Sequence, residues 1–367
     1  DISWTLGPYR FDLPLVASAM DGVVSPETAV LTHKLGGLGV LNLEGIWTRF
    51  EDAEQQLERV SKAPRDEATA IMQEIYETPV KSELIAQRIS EIKAAGAVVC
   101  GSLTPQSVQQ HYEVAVEAGL DILVIQGTVI SAEHVSTTVE PLNLKEFISE
   151  VPIPTVVGGC ASYSTGLHLM RTGAVGVLVG VGPGAACTTR GVLGIGVPQA
   201  TAIADVAAAR SQHMLETGEY VNVIGDGGMR TGGDISKAIA CGADAVMIGS
   251  PLARAKEAPG RGYHWGMATF HSSLPRGTRV TTVQDGTMEE ILLGPAHTND
   301  GTFNLMGALR TSMATCGYED IRSFQRAEMM IAPALMTEGK KLQQEQSVGM
   351  GSNGRAAVSA GVEVADD

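Results

Sequence analysis

The apolar residues of this chain fall into short runs, and stretches of helical periodicity separate one run from the next. The runs are continuous instead of alternating with polar residues, as is typical of strands buried on both faces of a parallel sheet. The predicted strands are Leu13–Ser18, Leu38–Leu41, Ala97–Cys100, Ile122–Ile125, Thr155–Val157, Val175–Val179, Asn222–Ile224 and Ala245–Ile248.

The segments between these runs carry apolar residues three or four positions apart, which predicts amphipathic helices. Eight strands spread evenly over about 250 residues favour an α/β fold of the closed (β/α)8 TIM-barrel type over an open doubly wound sheet. Ser162 and Asp234 are candidate N-caps. The clearest predicted helices are Ser82–Ala94, Gln106–Ala118, Leu144–Glu150, Tyr163–Arg171, Gln199–Glu216 and Gly233–Ala240.

Two segments depart from the repeat. Residues 44–80 are polar and partly helical, which predicts a short finger-like elaboration after the second strand. Residues 254–300 form an excursion after the eighth strand, and we expect it over the C-terminal mouth of the barrel, where active sites of this fold form. We therefore predict a single catalytic barrel over residues 1–335, and a disordered tail over residues 336–367, which are rich in Gln, Ser, Gly and Ala. Because the chain begins at Asp1 and not at Met, we expect that an N-terminal segment is missing.

Composition narrows the classes of partner. The net charge of -15 argues against a protein that binds the nucleic-acid backbone, which needs a basic face. No run of about 18 apolar residues predicts a membrane span. The five cysteines are dispersed, without the spacing of a disulfide framework or a zinc site, so we expect a reducing, cytoplasmic setting.

The stretch Gly180–Arg190, of sequence GVGPGAACTTR, follows the sixth predicted strand. Glycines allow the backbone to approach a ligand closely, and a thiol on such a loop is placed to attack a bound electrophile. A lone Cys187 after a turn would more often be a small buried hydrophobe. The density of glycine around it, and the second glycine-rich loop at Asp226, favour a nucleophile.

Two further strand ends carry polar chemistry. Asp226-Gly227-Gly228 follows the seventh strand, where a carboxylate can accept the two hydroxyls of a ribose and the glycine amides suit an anion. A tight turn with a capping Asp is the alternative. Gly249-Ser250 follows the eighth strand, and the loops after strands seven and eight of such barrels commonly bind phosphate. Together the loops predict a phosphorylated ribosyl ligand that faces Cys187.

Five motifs resemble those of the IMP dehydrogenase / GMP reductase family, over about residues 10–335. They are Val16-Ala-Ser-Ala-Met-Asp21, Gly36-Gly-Leu-Gly39, Gly182-Pro-Gly-Ala-Ala-Cys187-Thr-Thr-Arg190, Gly194-Ile-Gly-Val-Pro-Gln199 and Asp226-Gly-Gly-Met-Arg230. The resemblance implies that Cys187 adds to C2 of a purine nucleotide (GMP, IMP or XMP) to form a thioimidate, and that Thr189 helps to activate water or ammonia. It also implies a homotetramer or octamer.

The same resemblance assigns the remaining site. The substrate-binding positions are Ser18, Met20, Asp226, Gly227, Gly228, Gly249, Ser250, Gly266 and Met267. The segment that matches the family's contact to the nicotinamide ribose of NAD(P)H is Gln126, Gly127 and Thr128. The backbone carbonyls of Gly182, Gly184 and Cys187 correspond to a potassium site, and oxygen ligands suit such a hard cation.

The departures from the family pattern bear on the reaction. Gln126 replaces a family Asp, Cys160 a family Asn and Ala185 a family Ser, while Arg276 stands at the Glu of the family's Pro-Glu-Gly and is the third candidate catalytic residue. By the resemblance, typical reductases use this Glu in ammonia chemistry, so its replacement counts against a reductase. Residues 44–80 are too few for the tandem regulatory CBS domains of many IMP dehydrogenases.

The shortened flap favours one reaction over the other. Only Ala268 to Leu274 separate Gly266-Met267 from Pro275, so the Arg-Tyr pair that activates water in IMP dehydrogenases has no counterpart. Hydrolysis of the thioimidate needs a base, whereas a reductase needs none at this step. We therefore favour reduction of GMP to IMP with NADPH and release of ammonia. Oxidation of IMP to XMP with NAD is the alternative, and a nucleotide-binding regulator without catalysis is the alternative of another class. His264 and His271 lie beside the flap, where a nicotinamide contact and a solvent-facing role are both open.

Overall fold

We analysed a computed structural model of the 367-residue chain, which describes residues 1–127, 142–266, 279–330 and 340–349. The strands are β1 (Trp4–Leu6), β2 (Tyr9–Phe11), β3 (Leu15–Ala17), β4 (Leu38–Asn42), β5 (Cys100–Leu103), β6 (Ile122–Gln126), β7 (Thr155–Cys160), β8 (Gly176–Val179), β9 (Asn222–Asp226), β10 (Ala245–Ile248), β11 (Tyr263–Trp265) and β12 (Arg279–Thr281).

The α-helices are α1 (Pro26–Lys34), α2 (Ala53–Lys62), α3 (Ala68–Glu77), α4 (Ser82–Ala94), α5 (Val108–Glu117), α6 (Leu144–Glu150), α7 (Tyr163–Met170), α8 (Thr189–Leu193), α9 (Gln199–Thr217), α10 (Gly232–Ala240), α11 (Ser250–Ala253), α12 (Met288–Leu293), α13 (Leu305–Thr315), α14 (Ile321–Phe324) and α15 (Lys340–Glu345). A single 3-10 turn, Ile46–Thr48, precedes α2.

Strands β3 to β10 form a closed barrel in which every pair is parallel. The barrel closes where β10 pairs with β3, with Met247 opposite Val16. The eight strands are therefore those that the apolar runs predict, and the (β/α)8 barrel is confirmed. The largest difference is β5, which lies at Cys100–Leu103 instead of Ala97–Cys100.

The strands are apolar on both faces because each face meets a different apolar layer. One layer fills the barrel interior and includes Val40, Ile122, Val124, Leu178 and Met247. The other lies between the strands and the surrounding helices. The two layers explain why the sequence shows continuous apolar runs with no alternation.

A hairpin of β1 and β2 packs into the same interior layer at the N-terminal end of the barrel. Its side chains Trp4, Leu6 and Phe11 are buried among the interior residues, and the Trp4 indole N–H donates to the Leu13 carbonyl at 2.9 Å. The hairpin thus closes the end of the barrel opposite the glycine-rich loops.

The elaboration predicted over residues 44–80 is a pair of helices, α2 and α3, after the second barrel strand β4. The excursion after β10 contains the antiparallel pair β11 and β12, in which His264 lies opposite Val280. The Arg279 guanidinium of β12 donates to the carbonyls of Val60 and Ala63, at the end of α2. The two segments therefore contact each other.

Helix starts agree only in part with the predicted caps. Ser162 caps α7 by accepting a hydrogen bond from the backbone N–H of Thr165. The prediction of Asp234 as an N-cap is wrong, because Thr231 is the N-cap of α10 and Asp234 is the third residue of the helix in a reciprocal capping box. Within the predicted tail, the described residues 340–349 include the short helix α15. No helix in the described ranges is both long and apolar enough to cross a lipid bilayer.

The terminal hairpin yields a test of stability. Leu6 is 1% exposed inside the barrel, whereas Leu215 on α9 is 84% exposed. We expect Leu6→Ala to lower the free energy of unfolding by about 3 kcal/mol through lost burial and a residual cavity, and Leu215→Ala to change it by less than about 0.5 kcal/mol. Urea unfolding of both variants measures the difference. Equal losses would contradict the packing of the hairpin into the barrel.

Candidate active site

The predicted nucleophile lies on the loop between β8 and α8, at the C-terminal end of the barrel. Cys187 is exposed, and its Sγ lies 3.2 Å from Oγ1 of Thr189, which is fully buried. The Cys187 backbone N–H donates to the Gly184 carbonyl at 3.0 Å, which folds the loop back on itself. The thiol is therefore held at the mouth with a fixed hydroxyl beside it.

Close contact with the next strand dictates glycine at the start of this loop. Gly180 has a φ of 151°, and a Cβ at this position would lie 2.3 Å from the Asp226 carbonyl oxygen. Its N–H donates to the Cys160 carbonyl at 2.8 Å. A side chain would separate the ends of β8 and β9, so the glycine is required to bring the Cys187 and Asp226 loops together.

The two glycine-rich loops touch directly. A Cβ on Gly228 would lie 2.9 Å from Cβ of Pro183, and one on Gly227 would lie 3.4 Å from the Gly184 nitrogen. The sequence predicts that these loops converge on one ligand, and the structure brings them together.

Gln199, the first residue of α9, links the same strand ends. Its Nε2 donates to the Val179 carbonyl at 2.6 Å and to the Asp226 carbonyl at 3.2 Å. Gln199 ends the motif Gly194–Gln199, and the sequence alone assigns it no role. Its position immediately after Pro198, at the start of a long helix, is the signal that the sequence offers.

Arg190 braces the loop on its other side. Its guanidinium donates to the carbonyls of Val181 at 3.1 Å and Val197 at 2.6 Å. The Arg190 side chain therefore ties together the two ends of the segment from Val181 to Val197, which contains Cys187.

Asp226 lies at the tip of β9, where its side chain meets Gln126 of β6. Nε2 of Gln126 donates to Oδ2 of Asp226 at 3.2 Å. Desolvation of the half-buried Asp226 raises its pKa to about 7, and the hydrogen bond from Gln126 opposes this rise. Oε1 of Gln126 is buried and has no partner within the described residues. Both groups therefore have unused capacity to bind a hydroxyl.

The third predicted loop lies beside the first barrel strand. The Ser18 N–H donates to the Ile248 carbonyl at 3.0 Å, and a Cβ on Gly249 would lie 2.7 Å from Sδ of Met20 and 3.5 Å from Oγ of Ser18. Barrel closure thus places Ser18 and Met20 next to Gly249 and Ser250, although more than two hundred residues separate them in sequence.

His264 contacts the same loop. Its Nε2 lies 2.8 Å from Oγ of Ser250, and the ring is 1% exposed. The solvent-facing alternative for His264 is therefore wrong. The sequence could not show this contact, because it depends on how β11 folds back on the barrel.

A buried carboxylate anchors the helical elaboration at the mouth. Oδ2 of Asp21 accepts hydrogen bonds from the Ile46 N–H at 2.9 Å and from the Tyr76 hydroxyl. The Trp265 indole N–H donates to the same hydroxyl at 2.9 Å. Burial raises the pKa of Asp21 to about 6. This network fixes the backbone next to Met20 and next to Gly266, two predicted substrate-binding positions.

Several predictions remain outside this geometry. Thr128, Met267, His271 and Arg276 lie outside the described residues. Gly127 lies at the mouth, and its N–H donates to the Gly158 carbonyl. Cys160 is buried against the outer apolar layer, and its Sγ donates to the Leu178 carbonyl at 3.5 Å.

The predicted potassium ligands Gly182, Gly184 and Cys187 all lie on the Cys187 loop. The Gly184 carbonyl already accepts a hydrogen bond from the Cys187 N–H. Their role as ligands stays a prediction. Among the described residues no cluster of His, Cys, Asp or Glu could hold a metal ion.

Comparisons with known proteins cover the whole barrel. Residues 5–341 match the IMP dehydrogenase / GMP reductase domain. The crystal structure of an IMP dehydrogenase/GMP reductase-like protein from Corynebacterium glutamicum is similar with a TM-score of 0.85 and 44% identity, over 90% of this chain and 89% of that chain. An uncharacterized oxidoreductase of Mycobacterium tuberculosis is 47% identical over 338 residues, 90% of each protein. Inosine-5'-monophosphate dehydrogenase of Cryptosporidium parvum is 32% identical over 261 residues, 68% of this chain and 61% of that protein.

The desolvated Asp226 yields a pH-dependent prediction. Its folded-state pKa of about 7 lies above its usual value of 3.8, so the unfolded chain loses this proton first and the protein loses stability as the pH rises from about 4 to about 7. Asp226→Asn cannot ionise. We expect it to raise the free energy of unfolding at pH 8 by about 2 kcal/mol, roughly half of the value that the full pKa shift corresponds to, because solvent screens the half-buried side chain. We expect little effect at pH 4.

Denaturant unfolding at both pH values measures this difference, with Asp205→Asn, an exposed carboxylate on α9, as the matched control. A gain in Asp226→Asn that does not change with pH would contradict the ionisation argument. If Asp226→Asn were less stable than the wild type at pH 8, the ionised carboxylate would be making interactions that stabilise the folded protein.

Proposed function

Since the chain belongs to the IMP dehydrogenase / GMP reductase family of oxidoreductases, we propose that it is an NAD(P)-dependent purine nucleotide oxidoreductase that works through Cys187. The observation that carries the proposal is the exposed Cys187 thiol, which lies 3.2 Å from the Thr189 hydroxyl on a loop that touches the Asp226 loop. A nucleophile, a carboxylate and glycine-rich turns thus share one end of the barrel.

The nucleotide would bind across the three loops. Asp226 would accept the ribose hydroxyls, because its carboxylate has one described side-chain partner, Gln126, and further hydroxyl donors would offset part of its desolvation. The backbone at Gly228 and Gly249 and the hydroxyl of Ser250 would receive the phosphate. Ser18 and Met20 would line the pocket beside them, and Gly266 and Met267 would face the purine ring.

The chemistry starts at the purine C2. The Cys187 thiolate would add to C2 of GMP. The exocyclic amino group would take up one proton from solvent and leave as ammonia, which gives a thioimidate. Thr189 would hold the sulfur and the departing nitrogen in place. A reduced nicotinamide cofactor held at Gln126 and Gly127 would supply the hydride that C2 needs. Breakage of the carbon–sulfur bond would then return the thiolate to Cys187 and release IMP.

The buried Oε1 of Gln126, which has no partner among the described residues, supports the binding of this cofactor. A buried acceptor without a donor costs about 1–3 kcal/mol, and at the mouth of the barrel a ribose hydroxyl would satisfy it. Gly127 and Thr128 follow directly, so the cofactor would bind over the end of β6, beside the nucleotide. Potassium at the Gly182, Gly184 and Cys187 carbonyls and a tetrameric or octameric assembly are further parts of the proposal.

We favour reduction of GMP over oxidation of IMP because of the groups around the thiol. Within the described residues, the side chain hydrogen-bonded to Cys187 is Thr189, which is too weak a base to deprotonate water at neutral pH. Hydrolysis of a thioimidate needs such a base, and loss of a base typically costs about 10²- to 10⁴-fold in rate. The segment between Gly266 and Arg279 contains His271 and Arg276 but no tyrosine, so the Arg-Tyr pair expected of a dehydrogenase has no counterpart there.

Oxidation of IMP to XMP is the second candidate. The observation that favours it is the 32% identity to the Cryptosporidium parvum protein named inosine-5'-monophosphate dehydrogenase. The two reactions share the thioimidate and differ in whether a hydride or a water reacts with it, so one assay separates them.

The decisive assay follows the absorbance of reduced nicotinamide with potassium present. We expect a fall with GMP and NADPH, and no rise with IMP and NAD. Cys187→Ala should lose at least about 10³-fold in kcat, because the covalent step is removed, while GMP affinity measured by calorimetry changes by less than about twofold. Cys316→Ala, which removes another exposed thiol, is the matched control.

Each alternative has its own result. A rise with IMP and NAD that Cys187→Ala abolishes would identify a dehydrogenase. Turnover in Cys187→Ala at the wild-type rate would contradict the covalent mechanism in either direction. Tight binding of GMP without turnover under any cofactor would contradict the assignment as an active oxidoreductase.

A further inference from the structure

Three side chains from three elements stand in a hydrogen-bonded line at the mouth of the barrel. Ser250 is the first residue of α11, His264 lies in β11, and Thr282 follows β12. Oγ of Ser250 lies 2.8 Å from Nε2 of His264, and Nδ1 of His264 lies 2.7 Å from Oγ1 of Thr282. Both ring nitrogens of the histidine are therefore engaged.

The ring of His264 stays neutral in this position. It is 1% exposed, and burial lowers its pKa to about 4. A neutral imidazole has one N–H donor and one acceptor nitrogen, so it must donate to one hydroxyl and accept from the other. The line consequently has a direction, and the direction is set by the tautomer.

The tautomer of His264 decides whether the Ser250 hydroxyl offers a hydrogen-bond donor or only acceptor lone pairs to a ligand. When the proton is on Nε2, His264 donates to Ser250, Thr282 donates to Nδ1, and the single proton of Ser250 is free to point into the mouth. When the proton is on Nδ1, the Ser250 hydroxyl donates its hydrogen bond to Nε2, and only its oxygen lone pairs face the mouth. An anion requires the first arrangement, since lone pairs repel it.

We propose that His264 and Thr282 are positioning residues that hold the Ser250 hydroxyl as a hydrogen-bond donor to the phosphate of the nucleotide. The inference rests on the proposed function, from which the phosphate comes, and assigns a role to two residues outside it. The site suits a phosphate monoester because Ser250 follows Gly249, and the three atoms nearest to a Cβ at Gly249 belong to the uncharged side chains of Ser18 and Met20.

The arrangement also joins the phosphate site to the β11–β12 pair. His264 and Val280 are opposite each other in that pair, and the Thr282 N–H donates to the Gly262 carbonyl at 2.7 Å. The histidine and the threonine are thus held by the same two strands, so their separation is fixed before a ligand arrives. A preorganised donor loses little conformational entropy on binding.

Calorimetry with paired ligands and matched variants tests the role. Thr282→Val removes the hydroxyl while keeping the shape of the side chain, and Thr281→Val makes the same change at the neighbouring exposed threonine. We expect Thr282→Val to weaken GMP and IMP binding about 5- to 10-fold, which corresponds to the usual net value of a single hydrogen bond, because Thr282 acts on the phosphate only through His264 and Ser250. Binding of guanosine and inosine, which lack the phosphate, should change less than about twofold, and Thr281→Val should bind all four ligands like the wild type.

Variants of the histidine and a spectroscopic measurement give independent results. His264→Gln retains a donor and should recover part of the nucleotide affinity that His264→Leu loses. In the complex with GMP, nitrogen-15 NMR of histidine-labelled wild-type protein should place the His264 proton on Nε2. This readout needs no turnover and is therefore separate from the direction of the reaction.

Failure of this inference is distinguishable from failure of the proposed function. If the wild type binds neither GMP nor IMP, the nucleotide function is wrong and the phosphate role is wrong with it. If the wild type binds GMP but Thr282→Val binds it equally well, or the proton resides on Nδ1, only the positioning role is overturned. An equal loss of GMP and guanosine binding would likewise overturn it, because the residues would then support the fold and not the phosphate.

Discussion

Closure of the barrel between β10 and β3 is the constraint on which the rest of the structure depends. The parallel pairing of Met247 with Val16 brings the last strand beside the first, so all eight carboxyl ends meet around one mouth. Ser18 then lies next to Gly249, and Asp226 next to Gln126. None of these contacts would exist in an open sheet of the same strands, whose edges would lie far apart.

The mouth is also where the protein gives up stability. Glycines at Gly180 and Gly228 allow loops to touch that side chains would hold apart, yet glycine loses more conformational entropy on folding than any other residue. The raised pKa values of Asp21 and Asp226 report carboxylates whose desolvation is only partly offset by hydrogen bonds. In the barrel below, by contrast, the interior layer is apolar from the β1–β2 hairpin up to Met247. The apolar layer that stabilises the barrel and the glycine-rich loops with their desolvated carboxylates therefore lie at different levels along the barrel axis.

Local features of the fold could be predicted from the sequence. Features that depend on contacts between distant segments could not. The bounds of β10 and α4 were predictable because an apolar run or a helical period specifies them without help from elsewhere. The misplaced β5 has a different origin. Gly101 and Ser102 are residue types typical of turns, but both are buried within the strand. A Cβ on Gly101 would lie 2.6 Å from Leu43 in the outer apolar layer, so the glycine leaves the space that Leu43 fills.

The candidate site divides in the same way. Cys187, Asp226 and Ser250 could be found because each follows an apolar run on a glycine-rich turn, which is a local signature. His264 could not be assigned, because its two partners lie 14 and 18 residues away on other elements. The link from Tyr76 to Asp21 spans 55 residues and the link from Trp265 to Tyr76 spans 189. No periodicity encodes pairs of this kind, so their discovery requires the three-dimensional arrangement.

The helical pair α2–α3 is best understood as a part of the mouth. Arg279 donates to carbonyls at the C-terminal end of α2, where a cation also meets the negative end of the helix dipole, and its guanidinium lies 4.1 Å from the centre of the Tyr263 ring. Arg261 pairs with Glu54 on the same helix, and Tyr76 of α3 connects Trp265 to Asp21. The exposed ion pair contributes little by itself, but the buried links join the elaboration, the first loop and the β11–β12 pair at several points. A change in any one of the three would thus displace the backbone at Met20 and Gly266. This short elaboration therefore supports two positions of the proposed nucleotide site, and it is too short to hold a separate regulatory domain.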